Sequence, residues 1–200
     1  MKRLYGTILA LALVMLSPEP RLRAQEEQHF VGQFLVATPT MADPRFQESV
    51  VYMIGHGKDG ALGLVINRPI AEGPLADLLK ALGRDIESAE GKVTIFYGGP
   101  VDVEELFILH GNDYASKATR FVGNGLGVTS DSEILRAIAG GKGPRQKLLI
   151  FGYAGWGPGQ LEAEIDSGAW FVIPAEMSLI FNSEPEKTWE RALAKRKQKA

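Results

Sequence analysis

From Val31 onward the chain alternates short apolar runs, glycine-rich turns and three stretches of helical periodicity. Ser49-Val50-Val51-Tyr52-Met53-Ile54 is a β-branched run, Gly57-Lys58-Asp59-Gly60 a turn, and Ala61 to Asn67 a second apolar run, which together predict a β-hairpin. Pro69 is expected to end the second strand, because its nitrogen cannot donate to a ladder. Leu75, Leu78, Leu79 and Leu82 recur at helical spacing and predict an amphipathic helix that stops at Gly83. Lys92 to Tyr97 and Glu105 to His110 read as strands around the turn Gly98-Gly99-Pro100. Ser130-Asp131-Ser132-Glu133 has the form of a capping box, in which the Ser130 hydroxyl and Glu133 carboxylate serve orphan amides at a helix start. Ile134, Leu135 and Ile138 form that helix's inner face, and Gly140-Gly141 its stop. Lys147 to Tyr153 and Trp170 to Ile173 are further strands, followed by an apolar segment from Met177 to Phe181. A second capping box, Ser183-Glu184-Pro185-Glu186, opens a closing helix through Trp189 and Leu193.

Strands that sometimes follow one another directly and sometimes alternate with helices predict a mixed sheet. The expected fold class is α+β: a barrel-like mixed β-sheet with flanking helices in a single domain over residues 31–194. The chain has 200 residues and 45% are hydrophobic, enough apolar surface for one core without disulfide or metal. With no cysteine, a disulfide scaffold, a thiolate zinc site and a cysteine nucleophile are all excluded.

Ahead of the domain, Met1-Lys2-Arg3 is a basic start and Leu4 to Leu16 an uncharged run, too short to cross a bilayer, which takes about 20 apolar residues. Residues 1–24 therefore read as a signal peptide, with cleavage expected after Ala24, although Leu22 stands where a small residue is preferred. On this reading the protein is exported, to the periplasm or beyond the cell. An uncleaved leader, which would be its one means of holding a membrane, and an upstream start on a cytoplasmic protein are the alternatives.

The formal net charge of −2 supplies no global positive field for a polyanion. Lys195, Arg196, Lys197 and Lys199 make residues 195–200 a basic tail, expected to be a solvated helix end. No sequence-specific nucleic-acid binding is expected, since neither a helix-turn-helix nor a basic reading face is visible.

Chemistry-bearing motifs are sparse. His29 lies near the new N-terminus, leaving His56 and His110, each at a strand end, with no HExxH or HxH pair, so no metal site is expected. GxSxG and SxxK are missing, as are GxxxxGK[ST] and the final spacing of GxGxxG in Gly123-Asn124-Gly125-Leu126-Gly127, so no cofactor is expected either. Gly98-Gly99 offers either exposed amides for an anion or a tight strand connection. In Gly152 to Glu162 four glycines flank Tyr153 and Trp156 at a strand's end, and Trp156 either lines a pocket or is buried under a lid.

Gly32 to Pro39, Asp43-Pro44-Arg45-Phe46, Gly60 to Pro69, Tyr97-Gly98-Gly99-Pro100-Val101 and Gly152 to Glu162 follow one another as the signatures of the AlgH (YqgE) family do. Trp170 and the helix containing Trp189 also match, so the chain resembles that family from Gly32 to Leu193. The resemblance implies a compact α+β fold with a barrel-like sheet, in proteins usually found without an export leader. It also carries a transcriptional-regulator label from some members, which nothing in these residues supports.

The polar positions within these motifs include Asn67, Arg68, Gly98, Gly99, Tyr153, Trp156, Gln160 and Glu162, expected to converge on one partly open pocket for a small anionic or polar ligand. Arg68 would then grip a carboxylate or phosphate. Its structural alternative is a salt bridge to Glu162 or Glu164. A non-enzymatic binding or interaction protein is the leading reading, with a protein partner as the other kind of occupant. The enzymatic alternative is a hydrolase with His56 or His110 as base and Glu162 or Asp131 as its partner.

Overall fold

A computed structural model describes residues 30–84 and 89–199, so the leader predicted over residues 1–24 lies outside the described residues. The strands are β1 (Gln33–Ala37), β2 (Val50–Gly57), β3 (Gly60–Val65), β4 (Pro69–Pro74), β5 (Lys92–Tyr97), β6 (Val101–Gly111), β7 (Arg120–Phe121), β8 (Leu126–Thr129), β9 (Lys147–Trp156) and β10 (Trp170–Pro174). The helices are α1 (Leu75–Ala81), α2 (Ser132–Ala139), α3 (Gln160–Asp166), α4 (Met177–Ile180) and α5 (Thr188–Lys199), the last preceded by a 3-10 turn at Pro185–Lys187. The strands join in the order β10-β1-β2-β3-β9-β6-β8-β7, with β5 attached to β9 and β4 to β5, and the sheet curls into a half-barrel. Every pair is antiparallel except β5 with β9.

Alternation along the strands sorts the apolar residues into two sides. Phe34 and Val36 of β1, Val50 and Tyr52 of β2, and Ile150 of β9 enter the central core, which Leu179, Ile180 and Ala192 of α4 and α5 help to fill. Leu35, Ala37, Val51 and Met53 face the other way, onto a second core shared with Leu161 of α3 and with Trp156 and Trp170. A third cluster packs α1 and α2 against Ile108 and Leu149. Strands buried on both faces read as unbroken apolar runs, as in Val50 to Ile54.

β9 is the organising strand. β6 pairs along one edge, while β5 and then β3 pair along the other, at residues 149–151 and 154–156. Only Gly98-Gly99-Pro100 separates β5 from β6, so the chain must pass from one edge of β9 to the other within three residues. It does so backbone on backbone: an added Cβ would come 2.2 Å from the Gly152 carbonyl oxygen at Gly98, and 2.1 Å from the Tyr153 carbonyl carbon at Gly99. Gly152, at φ 73°, has no room for a Cβ against Gly99 either.

Several local expectations are corrected. α2 is capped by Asp131, one residue after Ser130, because the helix begins at Ser132 and the Asp131 carboxylate accepts from the Glu133 and Ile134 amides at 3.1 and 3.2 Å. At the second expected box, Asn182 in place of Ser183 accepts from the Glu184 amide, at 2.9 Å, and the 3-10 turn has no side-chain cap of its own. Met177–Ile180 is a short helix, and Pro69 begins strand β4 on the sheet's margin, where a missing donor costs nothing. The basic run continues α5, with Lys195 bound to the Glu176 carboxylate and the Arg196 guanidinium 3.4 Å over the Phe171 ring.

Candidate functional site

The residues expected to form one pocket separate into three local structures. Asn67 is buried, accepting from the Val50 amide at 2.8 Å and donating to the Glu48 carbonyl at 2.9 Å, and so fixes the β2 start. Arg68 donates to the carbonyls of Arg45 and Gln47, and no bridge to Glu162 or Glu164 forms. Its partners are carbonyls of the 43–48 loop because that loop turns back beside it. Gly98 donates its amide to the Phe151 carbonyl at 2.7 Å, and with Gly99 it serves the crossing over β9.

The glycine-rich segment divides further. Trp156 is only 6% exposed and packs in the second core, with its ring stacked 6.4 Å from Phe46 and edge-on 6.1 Å from Trp170. Both indoles donate to one oxygen of Glu164, at 2.9 Å from Trp156 and 2.8 Å from Trp170. Gln160 donates to the other Glu164 oxygen at 2.9 Å and accepts from the Gly157 amide at 3.1 Å, closing the turn into α3. Of the two roles open to Trp156, the buried one therefore accounts for its indole edge.

A cleft of about 440 Å³ remains at the end of the β2–β3 hairpin and β9, lined by Gly55, His56, Asp59, Leu62, Val101, Tyr153, Gly155 and the rim of Trp156. It does not reach Asn67, Arg68, Gly98 or Gly99. Its floor follows from register: Gly55 faces Leu62 across β2–β3, and Leu62 faces Gly155 across β3–β9. Two side-chain-free positions flanking one leucine leave a shallow apolar strip. The Tyr153 ring lies over Gly155, where an added Cβ would be 3.2 Å from ring carbon Cε2, and Arg120 Nη1 reaches within 4.0 Å of the Cβ position at Gly55. Burial, then a hydrogen bond to the Asp102 carboxylate, pushes the Tyr153 hydroxyl's pKa up and keeps it neutral.

His56 stands at the rim with Nε2 2.7 Å from Glu162 Oε1 and its ring edge-on to Phe30 at 4.7 Å. The Glu162 pKa is held down by its own backbone amide and by His56. Here a histidine and a carboxylate do meet, as the hydrolase alternative requires. The base's second nitrogen must then face a substrate, but Nδ1 is buried without a partner and Nε2 is occupied by Glu162. The pair ties α3 to the end of β2.

His110 is elsewhere and wholly buried. Its Nδ1 lies 2.7 Å from the Gly111 carbonyl, which assigns the proton to Nδ1 and makes Nε2 the acceptor of the Thr129 hydroxyl at 2.9 Å. Thr129 meets Thr119 at 2.7 Å, and Ser116, beside Thr119, donates to Asp131 at 3.1 Å. His110 and Asp131 are thus separated by three hydroxyls and do not touch. Burial lowers the His110 pKa and keeps it neutral. Among the described residues no three His, Cys, Asp or Glu side chains gather as metal ligands, and no helix is long and apolar enough to cross a membrane.

Sequence reasoning missed Asp59, Leu62, Arg120, Gly55 and Gly155 as features of the cleft. The available signal was the pair of glycines in apolar strands, which marks a close approach or a bare surface, but their alignment on Leu62 depends on a bulge between Met53 and Gly55.

The geometry defines a half-barrel α/β domain with an open cleft at one strand-end rim. The family model described as AlgH-like matches residues 34–200. A UPF0301 protein of Methylococcus capsulatus is 48% identical over 162 residues, covering 81% of this chain and 88% of the relative. Another, from Rhodospirillum rubrum, is 36% identical over 88% of this chain and 92% of its own. The solution structure of the AlgH protein of Pseudomonas aeruginosa superposes with a TM-score of 0.73 at 36% identity, covering 91% of this chain and 92% of the other. A Corynebacterium diphtheriae crystal structure shares the fold alone, with a TM-score of 0.67 at 22% identity over 88% of this chain and 92% of that one. The chain belongs to the AlgH-like (UPF0301) family.

Proposed function

We propose that the protein is a non-enzymatic binding protein whose cleft between the β2–β3 hairpin and β9 takes a small polar or anionic ligand. The observation that carries this reading is the row Gly55–Leu62–Gly155, a bare apolar floor lined by Tyr153 and Asp59, with Arg120 Nη1 4.0 Å from the Cβ position at Gly55. A planar ligand can lie on such a floor while polar groups at its margin set orientation, and Arg120 has no carboxylate partner within ion-pair distance among the described residues. With Nε2 held by Glu162 and Nδ1 buried, His56 offers a substrate no free nitrogen, which favours binding over hydrolysis. With the leader removed after Ala24, the protein would act outside the cytoplasm, and N-terminal sequencing of native protein from cell fractions tests that location.

The test of binding is a thermal-shift screen of small polar metabolites against wild type, Tyr153→Ala and Arg120→Met. A ligand at about 100 times its dissociation constant stabilises by about 2.7 kcal/mol. Both variants should melt close to wild type and lose that stabilisation. A ligand that protects all three proteins equally would place its site elsewhere, and a screen in which nothing protects wild type would remove the reading.

A further inference from the structure

A second cleft, of about 380 Å³, opens on the other side of the sheet's branch, where β5 and β9 begin. That volume falls within the range of small-molecule sites, about 300–1,000 Å³. Its character follows from the one parallel pair in the sheet. Ile95 faces Leu149 and Phe96 faces Ile150, so both strands emerge from the core at the same end. On β5, alternation places Lys92, Thr94 and Phe96 on one face. Phe96 is in the central core, so this face changes from apolar to hydroxyl to cation as it leaves. On β9 the same alternation takes Ile150 and Leu148 out to Gln146. An antiparallel pair would set a polar end against an apolar one. The parallel pair makes two gradients run together.

Two cations stand at the mouth, Lys92 and Arg145, while alternation turns Lys147 to the Leu149 face, where its ammonium donates to the Pro144 carbonyl at 3.1 Å. Lys92 lies 4.0 Å from Glu72, at the limit of an ion pair. Arg145 meets Asp113 through Nε at 3.0 Å, and its terminal Nη groups have no partner in the described residues. Phe181 closes the apolar side and is held there by Asn182, which donates to the Leu179 carbonyl at 2.7 Å and to Thr188 at 2.9 Å.

We propose that this cleft binds a small organic phosphate, with the phosphate gripped by Lys92 and Arg145 and the apolar body lying against Phe96 and Phe181. A dianion with three acceptor oxygens can use all of these donors, since Thr94 and Gln146 add a hydroxyl and an amide to the two cations. A carboxylate would use fewer of these donors. The site is separate from the His56 cleft, and the two readings stand or fall independently.

The experiment is an NMR titration of the isotopically labelled protein with phenyl phosphate, beside inorganic phosphate, benzoate and benzyl alcohol. Phenyl phosphate should give saturable shifts at amides of residues 92–96, 145–149 and 181–182. Inorganic phosphate should act on the same amides more weakly, and benzyl alcohol should leave them unmoved. Lys92→Met with Arg145→Gln should weaken phenyl phosphate at least tenfold, and Arg145→Gln alone, a change at an exposed side chain, should weaken it severalfold. Binding unchanged in both variants, shifts confined to other residues, or no saturation would overturn the proposal, as would benzoate binding as tightly as phenyl phosphate.

Discussion

Glu164→Ala should be the most informative single perturbation of the second core. The carboxylate accepts three hydrogen bonds, from the Trp156 and Trp170 indoles and from Gln160. Trp156 and Trp170 are 6% and 3% exposed, so truncation strands two indole donors in largely dry surroundings. A buried donor left unsatisfied costs about 1–3 kcal/mol. Glu164 itself is only half-buried, so water can enter behind an alanine and serve one indole in part. The working figure is a loss of about 3 kcal/mol, which at this chain length lowers the melting temperature by about 6–12 °C. Glu164→Gln separates the hydrogen-bond count from the charge. Both indoles use the same oxygen, and one amide oxygen in its place can serve both, while the amide nitrogen must face the Gln160 donor. That variant should lose only about 1 kcal/mol. Urea unfolding followed by tryptophan emission is the assay, since two of the three tryptophans sit on this carboxylate. An alanine variant within 0.5 kcal/mol of wild type, a margin typical of ordinary surface changes, would refute the assignment of Glu164 as the acceptor that holds these rings.

Asn67→Ala should cost about 2–4 kcal/mol in urea unfolding, because the Val50 amide and Glu48 carbonyl both lose their partner. His110 has a folded pKa below its unfolded value, so the unfolded chain takes up its proton first, and stability falls as pH drops below about 6.5. His110→Gln should flatten that part of the stability profile. Glu162 has a depressed folded pKa, so its contribution is complete above about pH 4.5 and is lost as pH falls through the folded value. Unfolding curves of Glu162→Gln and wild type should differ at pH 7 and converge as pH falls through the depressed folded value. Gly99→Ala should fail to give folded protein, read as lost dispersion in an amide NMR spectrum, whereas Gly73→Ala, with nothing near its Cβ position, should fold.

The sequence made some elements visible and others not, for identifiable reasons. The leucine period marked α1 through Leu75, Leu78 and Leu79, all buried as expected, and β5 runs over Lys92–Tyr97 as the pattern indicates. α3 was hidden because Gln160 to Asp166 offers one buried residue, Leu161, among four polar side chains. β8 lay inside a glycine run whose spacing invited comparison with phosphate loops. Met177–Ile180 is too short for its apolar run to display a helical period. The site was less legible than the fold. Gly98, Gly99 and Gly152 stood out, yet their reason is a crossing between chain segments about 50 residues apart, which no local pattern encodes. Asn67 and Arg68 are polar residues bonded to main chain, and sequence alone does not distinguish such anchors from ligand contacts.

The passage of the chain across β9 also governs the order in which the molecule can be made. β5 and β6 leave the ribosome first, but the strand on which both must pair spans residues 147–156, roughly 45 residues beyond the end of β6. At a synthesis rate of about 5–20 residues per second, they wait on the order of 2–9 s with edges unsatisfied. β1 waits longer for β10, to which it pairs along all five residues from Gln33 to Ala37. A nascent chain stalled before Lys147 would thus present open strand edges to its neighbours, the condition that invites intermolecular pairing. In this molecule the centre of the sheet is among the last parts to be synthesised.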